Sequence, residues 1–571
     1  MPFFPPIKRL AAVLGAWCLA LGLMAVLGGC RPAAPRPATP PPPASPITFT
    51  DVAEQAGLRY HWPVPGHRPL NILQTIGNGC AFLDYDNSGH LSLLLVGPNL
   101  ALYKGDGRGH FTDVTHRSGL DRFHGHFLGV AVGDYDGDGY DDIYVSGYRA
   151  GLLLHNDGGK SFRDVTRQAG LTPQPWGTSC AFVESVPGSG RLDLFVCNYA
   201  DFGPDPKKYQ QFCFARGLRT SCGPRFYSPA KDVFYRNDGH GHFTDATGVS
   251  GMRPIINGKG LGVACAPLDG TRRPYIAVAD DEVASDLLRA AGSGSPARYV
   301  NIGGQAGIAL DGKGSIHGGM GTDWGDYDND GKLDLIVATY QNETKSLYHN
   351  DGQALFSDQA EQAGLGPAFP LVAFGVKWAD FDNDGWLDLM LANGHTQDNI
   401  HDIDASTTYR QPTQLFRNDH ARFTDLSDTA GPALQRPLVG RGLAVGDFDN
   451  DGRVDALVVD SEGAPLLLRN DSPRPGHWLS LQLVGVRSNR DGYGALVTVR
   501  TPGLTQTRLC QADGSYLSSS DKRVHVGLGA AMSAQSVTVK WPSGRVDAFR
   551  GVPADRFYTL REGGKLLPAP H

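Results

Sequence analysis

The stretch GDYDNDGKLDLIV at residues 325–337 decides the fold of this chain, because it joins an aspartate-rich turn to a strand-like apolar run. Three other copies keep the pattern D-x-D-x-D-G-x-x-D, and three weaker copies have lost carboxylates from it. The other copies are GDYDGDGYDDIYV at 133–145, ADFDNDGWLDLML at 379–391, GDFDNDGRVDALV at 446–458, LDYDNSGHLSLLLV at 83–96, VESVPGSGRLDLFV at 183–196 and APLDGTRRPYIAV at 266–278. Two apolar runs joined by a short turn indicate a β-hairpin, so seven hairpins are predicted.

The element FTDVAEQAGL at 49–58 also occurs seven times, but its first copy precedes the first hairpin. The last hairpin ends in LLLRND at 466–471, with no such element after it. In a ring of sheets, an N-terminal strand that completes the last sheet removes exposed edges. The sequence therefore predicts an all-β fold: a seven-bladed β-propeller whose N-terminal strand closes the last blade, then a small C-terminal β domain. The alternative is a stack of β-sandwiches with similar turns.

These repeats resemble the FG-GAP (VCBS) repeats of integrin α-chain propellers, over about residues 47–471. Three later segments, at 489–500, 514–529 and 537–552, resemble the ASPIC/UnbV domain. That domain follows FG-GAP propellers in the cartilage acidic protein family and its bacterial relatives. This chain lacks the cysteine-rich EGF-like tail of the animal members, so any function of that tail does not transfer.

Four aspartate turns carry carboxylates at positions 1, 3, 5 and 9, with a glycine at position 6. So many carboxylates repel one another unless a cation lies between them, and flexible carboxylate-rich loops suit Ca²⁺. The alternative is a solvated acidic turn. About four Ca²⁺ sites are predicted, with the residue at position 7 contributing its carbonyl. The predicted ligands are Asp134, Asp136, Asp138, Tyr140 and Asp142; Asp326, Asp328, Asp330, Lys332 and Asp334; Asp380, Asp382, Asp384, Trp386 and Asp388; and Asp447, Asp449, Asp451, Arg453 and Asp455.

The turn of the first repeat has lost two of these carboxylates. It keeps Asp84 and Asp86 but has Ser88 and Ser92 at positions 5 and 9. Because a hard cation needs six to eight oxygens, this turn is predicted to be a weak metal site or none.

The N-terminus indicates export and anchoring. Lys8 and Arg9 precede an apolar run that ends in Leu-Gly-Gly-Cys30, which resembles the lipobox of bacterial lipoproteins, where the cysteine is acylated. The alternative is an uncleaved signal anchor. We expect a signal peptide over 1–29, a lipidated Cys30 and proline-rich tether over 30–46, the propeller over 47–472 and the ASPIC/UnbV-like domain over 473–565. This arrangement implies lipid anchoring in the cell envelope, at an outer membrane or the cell surface.

Seven cysteines remain once Cys18 leaves with the signal peptide and Cys30 is acylated. An odd number leaves at least one thiol outside an intramolecular disulfide. Cys213 and Cys222 lie close together in an inserted loop and form the first expected pair. Cys180 and Cys197 flank one hairpin and form the second.

No complete catalytic motif is present, and no catalytic residue is predicted. The best polar cluster, His395, Asp398 and His401, is a candidate ligand site; the alternative is a polar loop on the propeller face. His317 is expected to face the central channel. The hydroxyl-rich segment GSYLSSSD at 514–521 is interpreted as a solvated turn, with a polar-ligand pocket as the alternative.

The charge of the chain argues against one class of function. The net charge is −7 and no basic stretch suits a phosphate backbone, so nucleic-acid binding is disfavoured. We expect a monomeric, lipid-anchored, extracytoplasmic calcium-binding propeller that acts as a binding or adhesion module for a glycan or a protein. The alternatives are an extracytoplasmic enzyme acting on polysaccharide or an accessory factor in biosynthesis, and a scaffold for another envelope complex.

Overall fold

The structure is a computed structural model that describes residues 46–292, 297–473 and 475–569. The predicted signal peptide, Cys30 and nearly all of the tether lie outside these residues. Within the described ranges, no helix is both long and apolar enough to cross a bilayer.

Strands form most of the ordered structure, and the helices are single turns. The ring contains β1 (Phe49–Asp51), β2 (Cys80–Leu83), β3 (Ser92–Leu95), β4 (Ala101–Gly105), β5 (Phe111–Asp113), β6 (Phe127–Gly133), β7 (Asp142–Asn156), β8 (Phe162–Asp164), β9 (Gln174–Val183), β10 (Asp193–Asn198), β11 (Phe212–Ala215), β12 (Leu218–Ser221), β13 (Val233–Asn237), β14 (Phe243–Asp245), β15 (Gly260–Pro267), β16 (Pro274–Asp280), β17 (Asp286–Ala291), β18 (Arg298–Asn301), β19 (Thr322–Gly325), β20 (Asp334–Val337), β21 (Ser346–Gly352), β22 (Leu355–Asp358), β23 (Ala373–Ala379), β24 (Asp388–Asn393), β25 (Gln414–Asn418), β26 (Phe423–Asp425), β27 (Gly440–Gly446), β28 (Asp455–Asp460) and β29 (Leu466–Asn470). The C-terminal strands are β30 (His477–Val484), β31 (Leu496–Thr501), β32 (Leu504–Leu509), β33 (Val524–Gly529), β34 (Ser533–Lys540), β35 (Val546–Pro553), β36 (Arg556–Arg561) and β37 (Leu566–Pro568). The helices are α1 (Ile72–Thr75), α2 (Thr115–Ser118), α3 (Gly303–Ala306), α4 (Ala360–Ala363) and α5 (Ile400–Ile403), with 3₁₀ turns at Leu120–Arg122, Pro224–Phe226 and Gly366–Ala368.

The N-terminal strand closes the ring, as the offset of the repeats predicts. Strand β1 pairs antiparallel with β29, with Phe49 opposite Asn470, and completes the sheet β27-β28-β29-β1. Four other sheets have four consecutive strands each, β2–β5, β15–β18, β19–β22 and β23–β26. The first strands of successive repeats contact one another in the order β2, β6, β9, β15, β19, β23, β27, and β27 contacts β2. The chain is therefore mostly β and propeller-like.

The second and third repeats are joined into one sheet of seven strands, so the prediction of seven separate four-stranded blades does not hold strand for strand. The cause is β7, which runs for 15 residues without a break. Its residues Tyr148 and Ala150 pair with Trp176 and Gln174 of β9. The hairpins of seven repeats thus lie in six sheets of the ring.

Two further four-stranded sheets, β33-β30-β36-β37 and β32-β31-β34-β35, form the C-terminal domain. Their inward residues, including Leu481, Val497 and Val537, are fully buried in one core. Strand β37 ends at Pro568, beyond the predicted boundary at 565. Tyr135 and Phe182 of the ring pack into the same core, so the domain is built onto the ring.

A loop of this domain fills the axis of the ring, and the expectation of a solvated turn at 514–521 is wrong. Tyr516 and Leu517 are fully buried and the neighbouring serines are at most 5% exposed. The loop bonds to the first strand of every repeat: Ser519 N to Cys80 O (3.0 Å), Val130 N to Leu517 O (3.1 Å), Leu517 N to Ser179 Oγ (2.9 Å), Cys265 N to Asp513 Oδ2 (3.0 Å), Ser515 N to Thr322 O (2.7 Å), Val376 N to Ser515 Oγ (3.3 Å) and Asp521 N to Val445 O (3.0 Å). The inner edge of each sheet faces the axis, so the loop satisfies backbone groups that would otherwise lack partners. We call residues 511–523 the axial plug.

Cys213 and Cys222 form a disulfide across the β11–β12 hairpin, with an S–S distance of 2.08 Å. The second expected pair is wrong, because Cys180 and Cys197 are both free. Cys180 lies opposite Val196 in the β9–β10 ladder, and side chains of consecutive strand residues point to opposite faces. Cys197 therefore points away from Cys180.

Candidate functional site

The four aspartate-rich turns occupy one structural position, since each joins the first strand of a repeat to the second. In the sixth repeat, Asp380 accepts hydrogen bonds from the amides of Gly385 (2.8 Å) and Asp384 (3.0 Å). Asp388 accepts from the amides of Asn418 (2.8 Å) and Phe381 (3.0 Å). The backbone thus fixes the carboxylates at both ends of the turn.

Each of these four turns holds a buried carboxylate oxygen that has no hydrogen-bond partner. These oxygens are Asp142 Oδ2, Asp326 Oδ1, Asp382 Oδ1 and Asp449 Oδ1. In the second repeat, oxygens of Asp134, Asp136 and Asp138 lie within 4.8 Å of one another, and in the fifth repeat those of Asp326, Asp328 and Asp334 do so. Buried unpaired carboxylates are costly, so these donor sets fit a hard cation.

Burial raises the pKa of several of these carboxyls. Desolvation and neighbouring Asp491 raise the pKa of Asp134 to about 8. Desolvation is also the main cause that raises the pKa of Asp326 to about 7 and of Asp334 to about 9. In the seventh repeat the pKa of Asp447 rises to about 8 by the same cause, although Arg523 opposes it. A bound cation would favour the ionised forms that burial disfavours.

A third-strand residue reaches the turns of the second, fifth and sixth repeats. His155 Nδ1 lies 3.1 Å from Asp136 Oδ2, and His349 Nε2 lies 3.0 Å from Asp328 Oδ2. Arg417 pairs with Asp382 and Asp384, at 2.7 Å each. At the position predicted to contribute a carbonyl, the backbone amide donates to the position-5 carboxylate: Tyr140 to Asp138 (2.9 Å), Lys332 to Asp330 (2.8 Å), Trp386 to Asp384 (2.9 Å) and Arg453 to Asp451 (2.9 Å). The turns are folded as preformed cradles.

The turn of the first repeat is neutralised by a side chain instead. Asp84 accepts from the amides of Ser88 and Gly89, at 2.9 Å each. The ammonium of Lys104 forms an ion pair with Asp86. Desolvation opposes ionisation of Asp86, but the hydrogen bonds from Lys104 and Ser88 together with the charge of Lys104 outweigh it and lower the pKa. Two carboxylates and one fixed ammonium leave little need for a metal ion here.

Asparagine at position 4 of the turn is a residue type that the sequence analysis missed. Its side-chain amide donates to the carbonyl of the position-6 glycine in the next repeat: Asn87 to Gly139 (2.8 Å), Asn329 to Gly385 (3.1 Å), Asn383 to Gly452 (2.9 Å) and Asn450 to Gly89 (3.3 Å). All four asparagines have positive φ, between 55° and 58°. The sequence did contain a signal for this role: asparagine recurs at position 4, and asparagine is one of the few residues that readily adopt left-handed backbone.

The C-terminal domain covers the turns. Asp491 accepts from the amide of Asp134 (2.8 Å), and Arg508 donates to Gly385 O (3.0 Å). Arg523 donates to Asp447 O (2.6 Å). An ion held in these turns would therefore lie beside the contact between the ring and the domain.

The three residues of the predicted ligand cluster have separate polar partners. His395 is buried with Nε2 3.1 Å from Gln341 Oε1, and desolvation followed by Arg441 lowers its pKa to about 3. Asp398 pairs with Arg68 at 3.1 Å, whereas His401 lies 3.1 Å from the carbonyl of Thr407. Each side chain thus has its own structural partner, and a ligand site formed by the three stays a prediction.

His317 does not supply a partner for that cluster. Both of its ring nitrogens are buried without a hydrogen bond, and desolvation lowers its pKa to about 4. It is therefore neutral at physiological pH.

A cavity of about 250 Å³ lies at the opposite end of the ring axis from the turns. Carboxylates and aromatic rings line it together: Asp281, Glu282, Glu343, Tyr199, Tyr340 and Phe374. Tyr516 of the axial plug packs on Phe374 with ring centroids 4.9 Å apart, so the plug underlies the cavity. We call this space the axial cavity.

One carboxyl of the axial cavity has a strongly shifted pKa. The hydroxyl of Tyr199 donates to Asp281 Oδ2 at 2.5 Å. Burial nevertheless raises the pKa of Asp281 to about 7. The insert that contains Cys222 and Arg225 forms another wall. The cavity thus combines apolar faces with a few polar acceptors, as ligand sites usually do.

Comparisons with known proteins agree with these features. The FG-GAP-like repeat family matches residues 84–145 and 326–391, and the ASPIC and UnbV family matches 485–566. Cartilage acidic protein 1 of Xenopus tropicalis is 25% identical over 506 residues, covering 82% of this chain and 70% of that protein. The Mus musculus protein is 26% identical over 517 residues, covering 85% and 73%.

Solved structures show weaker likeness. An Agrocybe aegerita lectin that recognises non-reducing terminal N-acetylglucosamine aligns with a TM-score of 0.36 and 14% identity, covering 68% of this chain and 86% of the lectin. The GH74 enzyme of Niastella koreensis aligns with a TM-score of 0.37 and 12% identity, covering 90% and 71%. Scores this low carry no argument about function. The chain thus combines FG-GAP-like repeats with a C-terminal ASPIC/UnbV domain, and it is similar over most of its length to the cartilage acidic proteins.

Proposed function

We propose that this protein is a calcium-binding propeller that serves as a binding module for a glycan or a protein. The observation that carries the proposal is the difference between the two ends of the ring. One end holds four preformed carboxylate cradles beneath the C-terminal domain, and the other presents the axial cavity. Calcium would stabilise the first end so that the second end is held in a binding-competent shape.

Calcium is the cation that suits the turns best. The ligands are oxygens only, and four carboxylates in a nine-residue turn can supply the six to eight oxygens that Ca²⁺ prefers. Mg²⁺ retains several waters in an octahedral shell and fits such a flexible, carboxylate-rich set less well. About four ions are proposed, one in each turn that keeps four carboxylates and has a partnerless buried oxygen.

The axial cavity is the proposed ligand site. Carboxylates of Asp281, Glu282 and Glu343 offer acceptors to hydroxyl or ammonium groups, while Tyr340 and Phe374 offer flat apolar faces. A sugar ring or a projecting side chain of a protein meets both needs. The lipobox-like N-terminus and tether support anchoring in the cell envelope, where the Cys213–Cys222 disulfide is chemically stable.

The test is a pull-down from envelope protein and polysaccharide extracts with residues 47–571, in Ca²⁺ and then in chelator. Retention should require Ca²⁺ and should fall when Asp281→Asn and Glu282→Gln are combined. Glu361→Gln is the matched control, because Glu361 is exposed on α4, outside the axial cavity. Retention that survives both the chelator and the cavity variant contradicts the proposal.

Asp281 also favours a second candidate, an enzyme acting on polysaccharide. A carboxyl with a pKa of about 7 inside a cavity is suited to general acid or base work. The same incubation distinguishes the two functions. Recovery of shortened polysaccharide that Asp281→Asn abolishes indicates the enzyme, and recovery of intact ligand indicates the binding module.

A further inference from the structure

Three buried aspartates meet where the third repeat joins the fourth, outside any aspartate-rich turn. Asp232 precedes β13 of the third repeat, while Asp280 ends β16 and Asp286 begins β17 of the fourth. All three are at most 1% exposed. One carboxylate oxygen from each lies within 4.8 Å of the other two.

Two oxygens of this triad have no hydrogen-bond partner: Asp232 Oδ2 and Asp280 Oδ1. The other oxygens of these two residues are held by backbone amides, Asp232 by Asn198 (2.7 Å) and Asp280 by Asp286 (3.0 Å). The partnerless oxygens are thus fixed in place inside the protein. A buried carboxylate left in this state is strongly disfavoured unless a cation meets it.

No side-chain cation forms an ion pair with the triad among the residues that the structure describes. The ammonium of Lys231 donates instead to the carbonyls of Ile256 (2.5 Å) and Asn257 (3.2 Å). Asn257 and Asn301 donate amide hydrogens to Asp286, at 2.6 and 2.7 Å, but they carry no charge. When all three carboxyls are ionised, they outnumber the one ammonium beside them and the charge is −2.

The seventh repeat shows how the same position is satisfied elsewhere. Asp460 ends β28 opposite Gly440, just as Asp280 ends β16 opposite Gly260. Asp460 is paired with the guanidinium of Arg410 at 2.8 Å. At the junction of the third and fourth repeats, the neighbouring repeat supplies Asp232 rather than an arginine. The carboxylates at this junction therefore lack the guanidinium that pairs with Asp460 in the seventh repeat.

From this geometry we infer that Asp232, Asp280 and Asp286 bind a Ca²⁺ ion that links the third repeat to the fourth. The ligands are oxygens only, one oxygen of each residue lies within 4.8 Å of the other two, and two oxygens of the triad lack a hydrogen-bond partner that an ion would supply. This site differs from the turns in its residues and lies at the other end of the strands.

The ion has a structural consequence for the axial cavity. Asp232 directly follows the insert over 200–231, and Pro224 and Arg225 of that insert line the cavity. Fixing Asp232 to the fourth repeat fixes the end of the insert. The site therefore stabilises one wall of the cavity without touching its ligand.

The experiment counts bound ions by equilibrium dialysis of the full chain against radiolabelled Ca²⁺. Asp280→Asn should bind one ion fewer than the natural protein. Asp460→Asn is the matched control, because it changes the equivalent carboxylate where Arg410 already supplies the charge, and it should bind the same number. An unchanged count in Asp280→Asn overturns the inference.

A measurement on the unchanged protein decides the matter if the variant fails to fold. Crystals grown with Mn²⁺ in place of Ca²⁺ should show an anomalous scattering peak between the three carboxylates. Absence of that peak while the aspartate-rich turns are filled overturns the site and leaves the proposed function intact.

Discussion

The turns of the first and second repeats lie side by side and solve the same electrostatic problem in different ways. Asn87 of the first donates to Gly139 of the second, at 2.8 Å. The first turn has two carboxylates and the ammonium of Lys104, whereas the second has four carboxylates and His155. Lys104 and His155 hold equivalent third-strand positions. The two carboxylates of the first turn share one side-chain cation, and we propose that the four of the second turn take an ion from solution.

Removal of calcium should lower the free energy of unfolding more than any of the substitutions below, because it empties all the four-carboxylate turns at once. At free Ca²⁺ of 10–100 times Kd, each occupied site adds about 1.4–2.7 kcal/mol to the free energy of unfolding. Four turns sum to about 6–11 kcal/mol by the same relation. Thermal unfolding in Ca²⁺ and in chelator measures this, and an unchanged melting temperature contradicts it.

Lower pH should weaken the stabilisation that bound calcium provides. Burial raises the pKa of Asp134 to about 8 and of Asp334 to about 9, above the roughly 3.9 of an unfolded aspartate. Between these values the folded calcium-free protein holds protons that the unfolded chain has released, so its stability falls as pH rises from about 4 to about 9. Protons compete with the ion, so calcium affinity should fall as pH drops below about 8. Calorimetric titration across pH checks the sign.

Giving the first turn the carboxylates of the second should change stability by an intermediate amount. Ser88→Asp and Ser92→Asp restore the full pattern, and Lys104→Met removes the competing ammonium. The amide of Gly105, which donates to Ser92 Oγ at 3.4 Å, is equivalent to the Asn156 amide that donates to Asp142 at 2.8 Å. The triple variant should bind one more Ca²⁺ and gain about 1.4–2.7 kcal/mol when that site is filled.

The control for this conversion is Lys104→Met alone. It removes an ion pair that is partly exposed and adds no carboxylate, so the free energy of unfolding should change by about 1 kcal/mol or less. Dialysis should find the same ion count as in the natural protein. An extra ion in the single variant would show that Lys104 alone excludes metal from the first turn.

Removing one hydrogen bond between neighbouring turns should lower the free energy of unfolding by the smallest amount. Asn329→Gly keeps the positive φ of 58° and removes the bond to Gly385 O, costing about 0.5–1.5 kcal/mol. Asn329→Ala adds backbone strain of about 1–2 kcal/mol in the left-handed region. Denaturant unfolding of both variants separates the two terms. Equal stability of the two variants would contradict the expected strain, since both lack the amide and differ only in how well they adopt the positive φ.

The sequence predicted those features that repeat. Periodic turns and the displaced first element were enough to predict the closure by β1, because ring closure depends on the order of strands alone. Each of the four turns that keep the complete pattern has a partnerless buried carboxylate oxygen, and Asp86 of the first turn has one as well. The single long strand β7 merged two repeats, since nothing in its sequence marks where one repeat should stop pairing with the next.

Features that occur once were not predictable in this way. The serines at 515–520 read as a solvated turn because hydroxyls usually face water, yet here they bond to inner strands hundreds of residues away. His395 and His401 are neighbours in sequence but have separate partners, because the chain folds back between them. Asp232 and Asp280 lie in different repeats, so only the packing of the repeats brings them together.

The axial plug sets the order in which this molecule can be completed. Every inner strand bonds to a loop that is made only after about nine-tenths of the chain has been synthesised. Contacts between residues so distant in sequence slow folding, since the entropy of closing large loops is lost before the contacts form. Until the plug arrives, seven inner edges remain open to pairing with other chains. The protein is therefore most vulnerable to aggregation in the interval between forming its ring and filling the centre.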